Sequence, residues 1–410
     1  MTLTRGGMAL ICLILFVLVL SIPDNATNFI VLSFFLALLL VNVPYAFLAV
    51  RGVSVYRDHQ SHVKEGSDIR VNLRVVNRSR GSRILLRFLD RGPGQGRCEP
   101  VQVPLLAGRG SETVAYTCQA GKRGIYKFLA CRIESSSPFG LVNARRSVRS
   151  ESDLVVYPLY YELIGAMFPF HKSYSGMTSA PGSRPGEGAS FFGLREYREG
   201  DPIRKIHWSS SLRARTLMVK EFEEDMHSSV VIMLDTHKLS VVPDGADSNL
   251  EVAVRAAASL ANHTLVNGHP TTLMYYDESA KCLRSDRAMG DLTPVLDSLA
   301  RLEASSMKPG DALLAGGASI PRHANLILVL LSADKDAMAE LLRIRARGVQ
   351  IMLVLADGGD AAGRFAANPW LPAMMEMFEY AGINIIVLSK GDDIQAALSQ
   401  NMRLQRRVRL

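Results

Sequence analysis

The chain opens on two apolar runs divided by a short polar turn. From Met8 to Ile22 there are only apolar residues, one Cys and one Ser, and from Phe29 to Val50 the only polar side chains are Ser33, Asn42 and Tyr45. A bilayer core asks for about 20 apolar helical residues, so residues 1–50 predict a transmembrane helical hairpin. The first run is short, and a cleavable signal peptide is the alternative. Against that alternative, no small-x-small site precedes Ser21-Ile22-Pro23-Asp24, and the second run follows at once. Arg5 precedes the first run, Arg51 and Arg57 follow the second, and the turn from Pro23 to Asn28 has no Lys or Arg. The positive-inside bias then predicts a multi-pass protein of the bacterial inner (cytoplasmic) membrane, with both termini and the soluble domains cytoplasmic.

After residue 50 the period changes to two. In Ile69-Arg70-Val71-Asn72-Leu73-Arg74-Val75 apolar and polar positions alternate, as a half-buried strand requires. Similar runs occur at Ile84 to Leu89, Thr113 to Cys118, Tyr126 to Ile133 and Leu154 to Tyr157, separated by Gly-rich turns. Residues 51–158 therefore predict an antiparallel β-sandwich-like module. Its arginines Arg70, Arg74, Arg78, Arg80, Arg83 and Arg87 read as the solvated faces of strands.

From residue 228 to 410 continuous apolar runs alternate with segments of helical period. Strands are expected at Val230 to Leu234, Thr271 to Tyr276, Leu326 to Leu331, Val349 to Leu355 and Ile383 to Leu388. Helices are expected near Leu250 to Val266, Leu292 to Leu302, Lys335 to Arg347, Leu371 to Tyr380 and Asp392 to Arg403. Fully apolar strands joined by helices call for a mostly parallel sheet covered on both faces. Ligands of such sheets bind at the carboxyl ends of the strands, which here points to Asp235.

Charge narrows the partners. Lys plus Arg number 47 against 39 Asp plus Glu, a formal charge of +8 that is mild for 410 residues. No basic helix, stacking platform or zinc finger accompanies it, so nucleic acid is not expected, and membrane lipid suits the balance. Cys12, Cys98, Cys118, Cys131 and Cys282 have no CxxC spacing and are odd in number, which predicts free thiols in a reducing compartment.

Residues 159–227 form a linking segment. Ser173 to Ala189 is rich in Gly, Ser and Pro and reads as a flexible loop. Beyond it, Asp201 is placed to cap a short helix opened by Pro202. Arg195, Arg204 and Arg213 have Glu196, Asp201 and Glu221 as candidate partners, and Trp208 is expected to pack as an anchor. Asp201, His207 and Ser209 or Ser210 do not form a hydrolase set, since no nucleophile elbow or oxyanion-hole signature is present.

The run Arg195-Glu196-Tyr197-Arg198-Glu199-Gly200-Asp201-Pro202-Ile203-Arg204-Lys205-Ile206-His207-Trp208 resembles the signature of the domain of unknown function 58 family. Lys220-Glu221 and Asp235 stand where that family continues, and Ser137-Pro138-Phe139-Gly140-Leu141 is similar to its Asp-Pro-Phe-Gly-Leu turn, with Ser137 replacing the Asp. Arg195, Glu196, Tyr197, Gly200, Asp201, Arg204, His207 and Trp208 form the interaction or structural motif, read either as a clasp joining the loop to the next domain or as an exposed Arg/Tyr/Trp recognition surface. The resemblance implies a role in assembling other complexes, because family members are often encoded beside MoxR-class AAA+ ATPases and other membrane proteins.

The C-terminal pattern also resembles the von Willebrand factor type A-like (Rossmann-like) fold. A metal-binding domain of that kind places Asp-x-Ser-x-Ser at the first strand's tip, since a hard cation wants clustered oxygens. This chain reads Asp235-Thr236-His237-Lys238-Leu239, and the strand ending at Leu331 continues Ser332-Ala333-Asp334. The expected metal site, with Asp235 and Asp334 as ligands, is therefore degenerate, and no cofactor is expected. The function expected is a membrane-anchored interaction scaffold working with a MoxR-class AAA+ ATPase, not an enzyme. A metal-dependent ligand-binding domain is the alternative, and a hydrolase a further one.

Overall fold

The structure is a computed structural model describing residues 2–20, 26–90, 98–163, 185–198, 201, 203–223, 229–242, 248–279, 281–321, 324–332, 334–356, 371–388 and 391–399. Gly200 and residues 357–360 and 403–410 lie outside these residues. The chain divides into two compact units, Met1–Leu159 with Leu299–Arg301, and Tyr160–Ser298 with Leu302–Leu410.

The first unit begins with β1 (Thr2–Leu3), α1 (Arg5–Leu20) and α2 (Ala26–Ala49). Within α2, Thr27–Ala49 is long and apolar enough to cross a membrane, and α1 is a shorter apolar helix. Leu10 and Ile14 of α1 meet Phe35, Leu38, Leu39 and Val43 of α2 in one cluster. Most other large apolar side chains of both helices are exposed, Phe16, Ile30 and Phe34 among them. Gly52, at φ +72, takes the left-handed conformation that ends α2 and turns the chain into the first long strand.

Eight further strands follow: β2 (Val53–Asp58), β3 (His62–Lys64), β4 (Asp68–Asn77), β5 (Arg83–Leu89), β6 (Val101–Leu106), β7 (Ser111–Gln119), β8 (Gly124–Ser135) and β9 (Val142–Tyr157). One sheet runs β1-β9-β8-β5-β6 with β3 also on β9, and the other runs β2-β4-β7. All these pairings are antiparallel except β3 with β9. The period-two reading of β4 holds: Ile69, Val71, Leu73 and Val75 are buried, while Arg70 and Arg74 are exposed. These residues share a core with Leu86, Phe88, Phe128, Ile133 and Leu154 of the other sheet.

Arg57 departs from expectation. Counted with the positive flank of the second apolar run, it instead lies between the sheets, its side chain 0% exposed, paired with Asp90 at 2.8 Å. Tyr116 donates its hydroxyl to Asp90 at 2.7 Å, and Arg57 reaches the Ser150 carbonyl and Ser152 Oγ. The parity of β2 carried this signal, since Val53, Val55 and Arg57 fall on one face.

The second unit contains β10 (Pro185–Glu196), α3 (Trp208–Ala214), β11 (Met218–Glu223), β12 (Val230–Leu234), α4 (Asn249–Val266), β13 (Thr271–Asp277) and β14 (Cys282–Ala288). It continues with α5 (Thr293–Arg301, its last three residues counted in the first unit), α6 (Pro309–Gly317), β15 (Asn325–Leu330), α7 (Lys335–Ala346), β16 (Gln350–Ala356), α8 (Leu371–Tyr380) and β17 (Asn384–Leu388). The expected loop from Ser173 to Ala189 is corrected at its end, because β10 already begins at Pro185. β10 and β11 form a separate two-stranded sheet.

The large sheet runs β14-β13-β12-β15-β16-β17, parallel throughout except for β14, which is antiparallel to β13. Every residue of β12 and β15 is buried, as the apolar runs Val230–Leu234 and Leu326–Leu330 require. Chain order reverses at β12, which lies between β13 and β15. The carboxyl ends of β12 and β15 therefore flank the switch point where sheets of this kind bind ligands.

Candidate functional site

Two clusters hold the residues singled out by the sequence. In the first, β10 and β11 pair with Arg195 opposite Val219 and Glu196 opposite Met218, and Tyr197 N–H donates to the Leu217 carbonyl at 2.8 Å. The loop between these strands is closed by an ion pair. Arg195 donates from both terminal nitrogens to Asp201, each at 2.7 Å, and the Arg198 backbone N–H adds a third bond at 2.8 Å. The two-pronged Arg195 bond is the main reason the Asp201 carboxyl is held down to about 2. Asp201 thus closes the loop and does not cap a helix.

The helix cap is His207. Its Nδ1 accepts from the Ser210 backbone N–H at 3.3 Å and lies 2.8 Å from the Ser210 hydroxyl. Ser211 ties α3 to β11, donating to the His207 carbonyl at 3.0 Å and accepting from Met218 N–H at 2.8 Å. Asp201, His207 and Ser210 of the rejected nucleophile set therefore have structural tasks. Trp208 is not the packed anchor expected: it is 60% exposed, with Leu212 one turn on at 82% and Ile203 at 70%. The burial in this segment comes from Ile206 and Val219, which face each other across an antiparallel bridge. Arg204 lies in a 3-10 turn over Ile203–Lys205.

The second cluster surrounds Asp235 at the tip of β12. Asp235 is 5% exposed, and its carboxylate accepts backbone N–H bonds from His237 at 2.9 Å and Leu331 at 3.1 Å. Burial pushes its carboxyl up, the charge of Asp334 adds to that, and the two N–H donors pull it down by less. Asp334 accepts the Asp336 N–H at 3.3 Å and caps α7, and its second oxygen is buried without a hydrogen-bond partner among the described residues. A relay of polar side chains completes the strand tips: His237 Nδ1 to Ser240 Oγ at 3.1 Å, Ser240 Oγ to Ser332 Oγ at 3.0 Å, and Asn249 Nδ2 to the Leu331 carbonyl at 3.2 Å. Thr236 and Ser305 meet at 2.7 Å. Asn249 and Ser305 escaped sequence reading because each is remote from Asp235 along the chain, and Ser240, five residues on, matches no position of the metal-binding pattern.

These residues do not fit a divalent cation. Both Asp235 oxygens are committed to N–H donors, and of the two positions that carry serine in the metal-binding pattern one is His237 and the other is Leu239, 79% exposed. Among the described residues no group of three or more His, Cys, Asp or Glu side chains is placed to share a metal ion. The arrangement is that of a hydrogen-bonded strand cap.

YeaD of Bacillus subtilis (strain 168), an uncharacterized protein, is 23% identical over 282 residues, which is 65% of this chain and 64% of YeaD. Among solved structures, the CARDB domain of PF1109 from Pyrococcus furiosus overlaps 26% of this chain and 94% of that domain, at 9% identity and a TM-score of 0.21. The bacterial hydrophobin BslA overlaps 26% of this chain and 95% of its own, at 13% identity and a TM-score of 0.18. Scores this low carry no argument about fold or function. The segment that holds both clusters does have a family match: residues 193–361 fit the model of the family described as protein of unknown function DUF58.

Proposed function

We propose that this chain is a membrane-anchored interaction protein that presents Ile203, Trp208 and Leu212 as a docking face for a protein partner, and that it runs no reaction of its own. The observation carrying this reading is the exposure of those three large apolar side chains on a segment made rigid by the Arg195–Asp201 pair. A single exposed apolar residue is ordinary, but a Trp with an exposed Leu one helical turn on and an exposed Ile in the turn before it has the makeup of an interface hot spot. Exposed Arg198, Arg213 and Arg215 around them suit a partner with an acidic rim. The partner implied by the family resemblance is a MoxR-class AAA+ ATPase.

Further parts of the reading have their own support. The order of the large sheet, its antiparallel edge strand β14 and an acid at the tip of β12 support a von Willebrand type A-like domain that works without a metal. The Arg51 end of α2 supports a cytoplasmic location on the inner membrane. The pairing of β1 with β9 supports a two-pass anchor.

The test is recovery of the ATPase by the full-length chain in detergent. Trp208→Ala and Leu212→Ala, with circular dichroism unchanged, are expected to lower recovery at least about tenfold, the ordinary effect of losing a hot spot. Undiminished recovery by the folded double variant would overturn the docking face.

A further inference from the structure

We propose that a cavity at the foot of α2 binds the phosphate of an anionic phospholipid headgroup. The cavity has a volume of about 590 Å³ and is lined by Phe47, Val50, Arg51, Gly52, Ala144, Arg145 and Arg146. That volume lies within the range of about 300–1,000 Å³ usual for small-ligand sites. The proposal rests on reading α2 as a membrane span, which places this cavity where the span meets the headgroup layer.

The lining has the chemistry such a group needs. Phe47 and Val50 belong to the last turn of the apolar helix and its exit, so an acyl chain has apolar surface to follow. The guanidinium groups of Arg51 and Arg146 provide planar donors that match phosphate oxygens. Their present contacts, to an aromatic ring and a backbone carbonyl, position them without cancelling their charge. Arg51 stacks its guanidinium 3.9 Å from the centre of the Phe47 ring. Arg146 donates to the Val50 carbonyl at 3.4 Å. Arg145 pairs with Glu134 at 2.9 Å, yet its side chain is 47% exposed.

The competing explanation is that these arginines only neutralise the carboxyl end of the helix. Magnitudes decide against it. A helix end carries about half a negative charge, and Glu134 adds one carboxylate. Glu134 is balanced by Arg145, and the guanidinium groups of Arg51 and Arg146 exceed the half charge of the helix end, so the cavity keeps a positive excess that solvent counter-ions or a ligand must balance. A cavity of this sign beside a cytoplasmic membrane surface rich in anionic lipid selects that lipid.

The full-length chain is first tested for release from membranes by alkaline carbonate. Release would overturn both the anchor and this proposal. The retained chain is then reconstituted in nanodiscs of phosphatidylcholine with phosphatidylglycerol, and the lipid that stays bound after detergent extraction is measured by native mass spectrometry. Wild type is expected to keep phosphatidylglycerol at least about tenfold over phosphatidylcholine, a difference of about 1.4 kcal/mol. The variant Arg51→Gln/Arg145→Gln/Arg146→Gln is expected to lose that preference. Arg51→Gln and Arg146→Gln singly, which leave the Arg145–Glu134 pair intact, are each expected to lose part of it. Arg149→Gln, at an exposed pair outside the cavity, should keep it.

Equal retention of the two lipids by wild type, or preference surviving in the triple variant, would overturn the headgroup site while the anchor stands. Displacement of the bound lipid by inorganic phosphate at equal concentration would assign the cavity to free phosphate instead and would likewise overturn the proposal.

Discussion

Two aspartates show how different surroundings set different tasks. Asp201 accepts three hydrogen bonds near the surface, and its carboxyl is lowered to about 2, chiefly by Arg195. A carboxyl lowered from an unfolded value of about 3.9 contributes stability present above that value and lost as pH falls through about 2. We predict that carboxyl NMR titration finds Asp201 near 2 in the wild type and near 4 in Arg195→Ala. A wild-type midpoint near 4 would mean the pair does not form in solution. Asp235 runs the other way: burial raises it, so its contribution is fully present below about pH 3.9 and is lost as pH rises through its folded value. Its two N–H donors, on His237 and Leu331, lose their only described side-chain acceptor in Asp235→Ala. Each unpaired buried group costs about 1–3 kcal/mol, so we predict a loss of about 2–6 kcal/mol in chemical denaturation. A loss under about 1 kcal/mol would show that these groups find water instead.

At the scale of elements, the ion pair between the sheets of the first unit is the test of packing. Arg57 on β2 and Asp90 just past β5 are nearly fully shielded, and Tyr116 on β7 shares Asp90. Asp90→Ala leaves a buried guanidinium without its carboxylate, a change that costs about 3–5 kcal/mol. Asp90→Ala with Arg57→Met is expected to recover most of that cost, because replacing both partners by apolar groups restores a satisfied core. Thermal unfolding in detergent measures both, and equal stability of single and double variants would show that the pair is not coupled. The same elements show where sequence reading works. Strands with unbroken apolar runs, such as β12 and β15, were legible because their burial is written into every residue. β14 was not, since Cys-Leu-Arg-Ser-Asp-Arg-Ala on a sheet edge has only one covered side and no apolar period. α6 escaped because three glycines in nine residues read as loop. Trp208 and Leu212 stand one turn apart, the spacing of a core face, and sequence alone does not reveal that this face points to solvent. The residues of both candidate sites were legible where they are close in sequence, and the distant partners brought in by folding, Asn249 and Ser305, were not.

For the whole molecule, the first three residues constrain how it meets a membrane. Thr2 and Leu3 pair with Asn143 and Val142 of β9, and Thr4 N–H donates to the Leu141 carbonyl at 3.1 Å. The start of the chain is thereby fixed to the sheet that follows α2. If α2 crosses the bilayer once, the chain ahead of it begins on the far face, and only a second crossing returns Thr2 to β9. α1 is the segment available for it. Its 16 residues span about 24 Å at 1.5 Å per residue, short of a hydrocarbon core of about 30 Å. On the proposed two-pass reading, local thinning and the reach of Arg5 toward the headgroups would have to cover that gap, at a fraction of a kcal/mol per Å. Breaking the β1 pairing to leave the N-terminus outside would sacrifice backbone bonds of the sheet without shortening any other mismatch. We therefore predict that an epitope placed at the N-terminus and one at the C-terminus are both digested by protease added to inverted inner-membrane vesicles, and both protected in intact spheroplasts. Digestion of the N-terminal epitope alone in spheroplasts would leave α2 as a single span and would require β1 to leave β9 in the membrane-bound state.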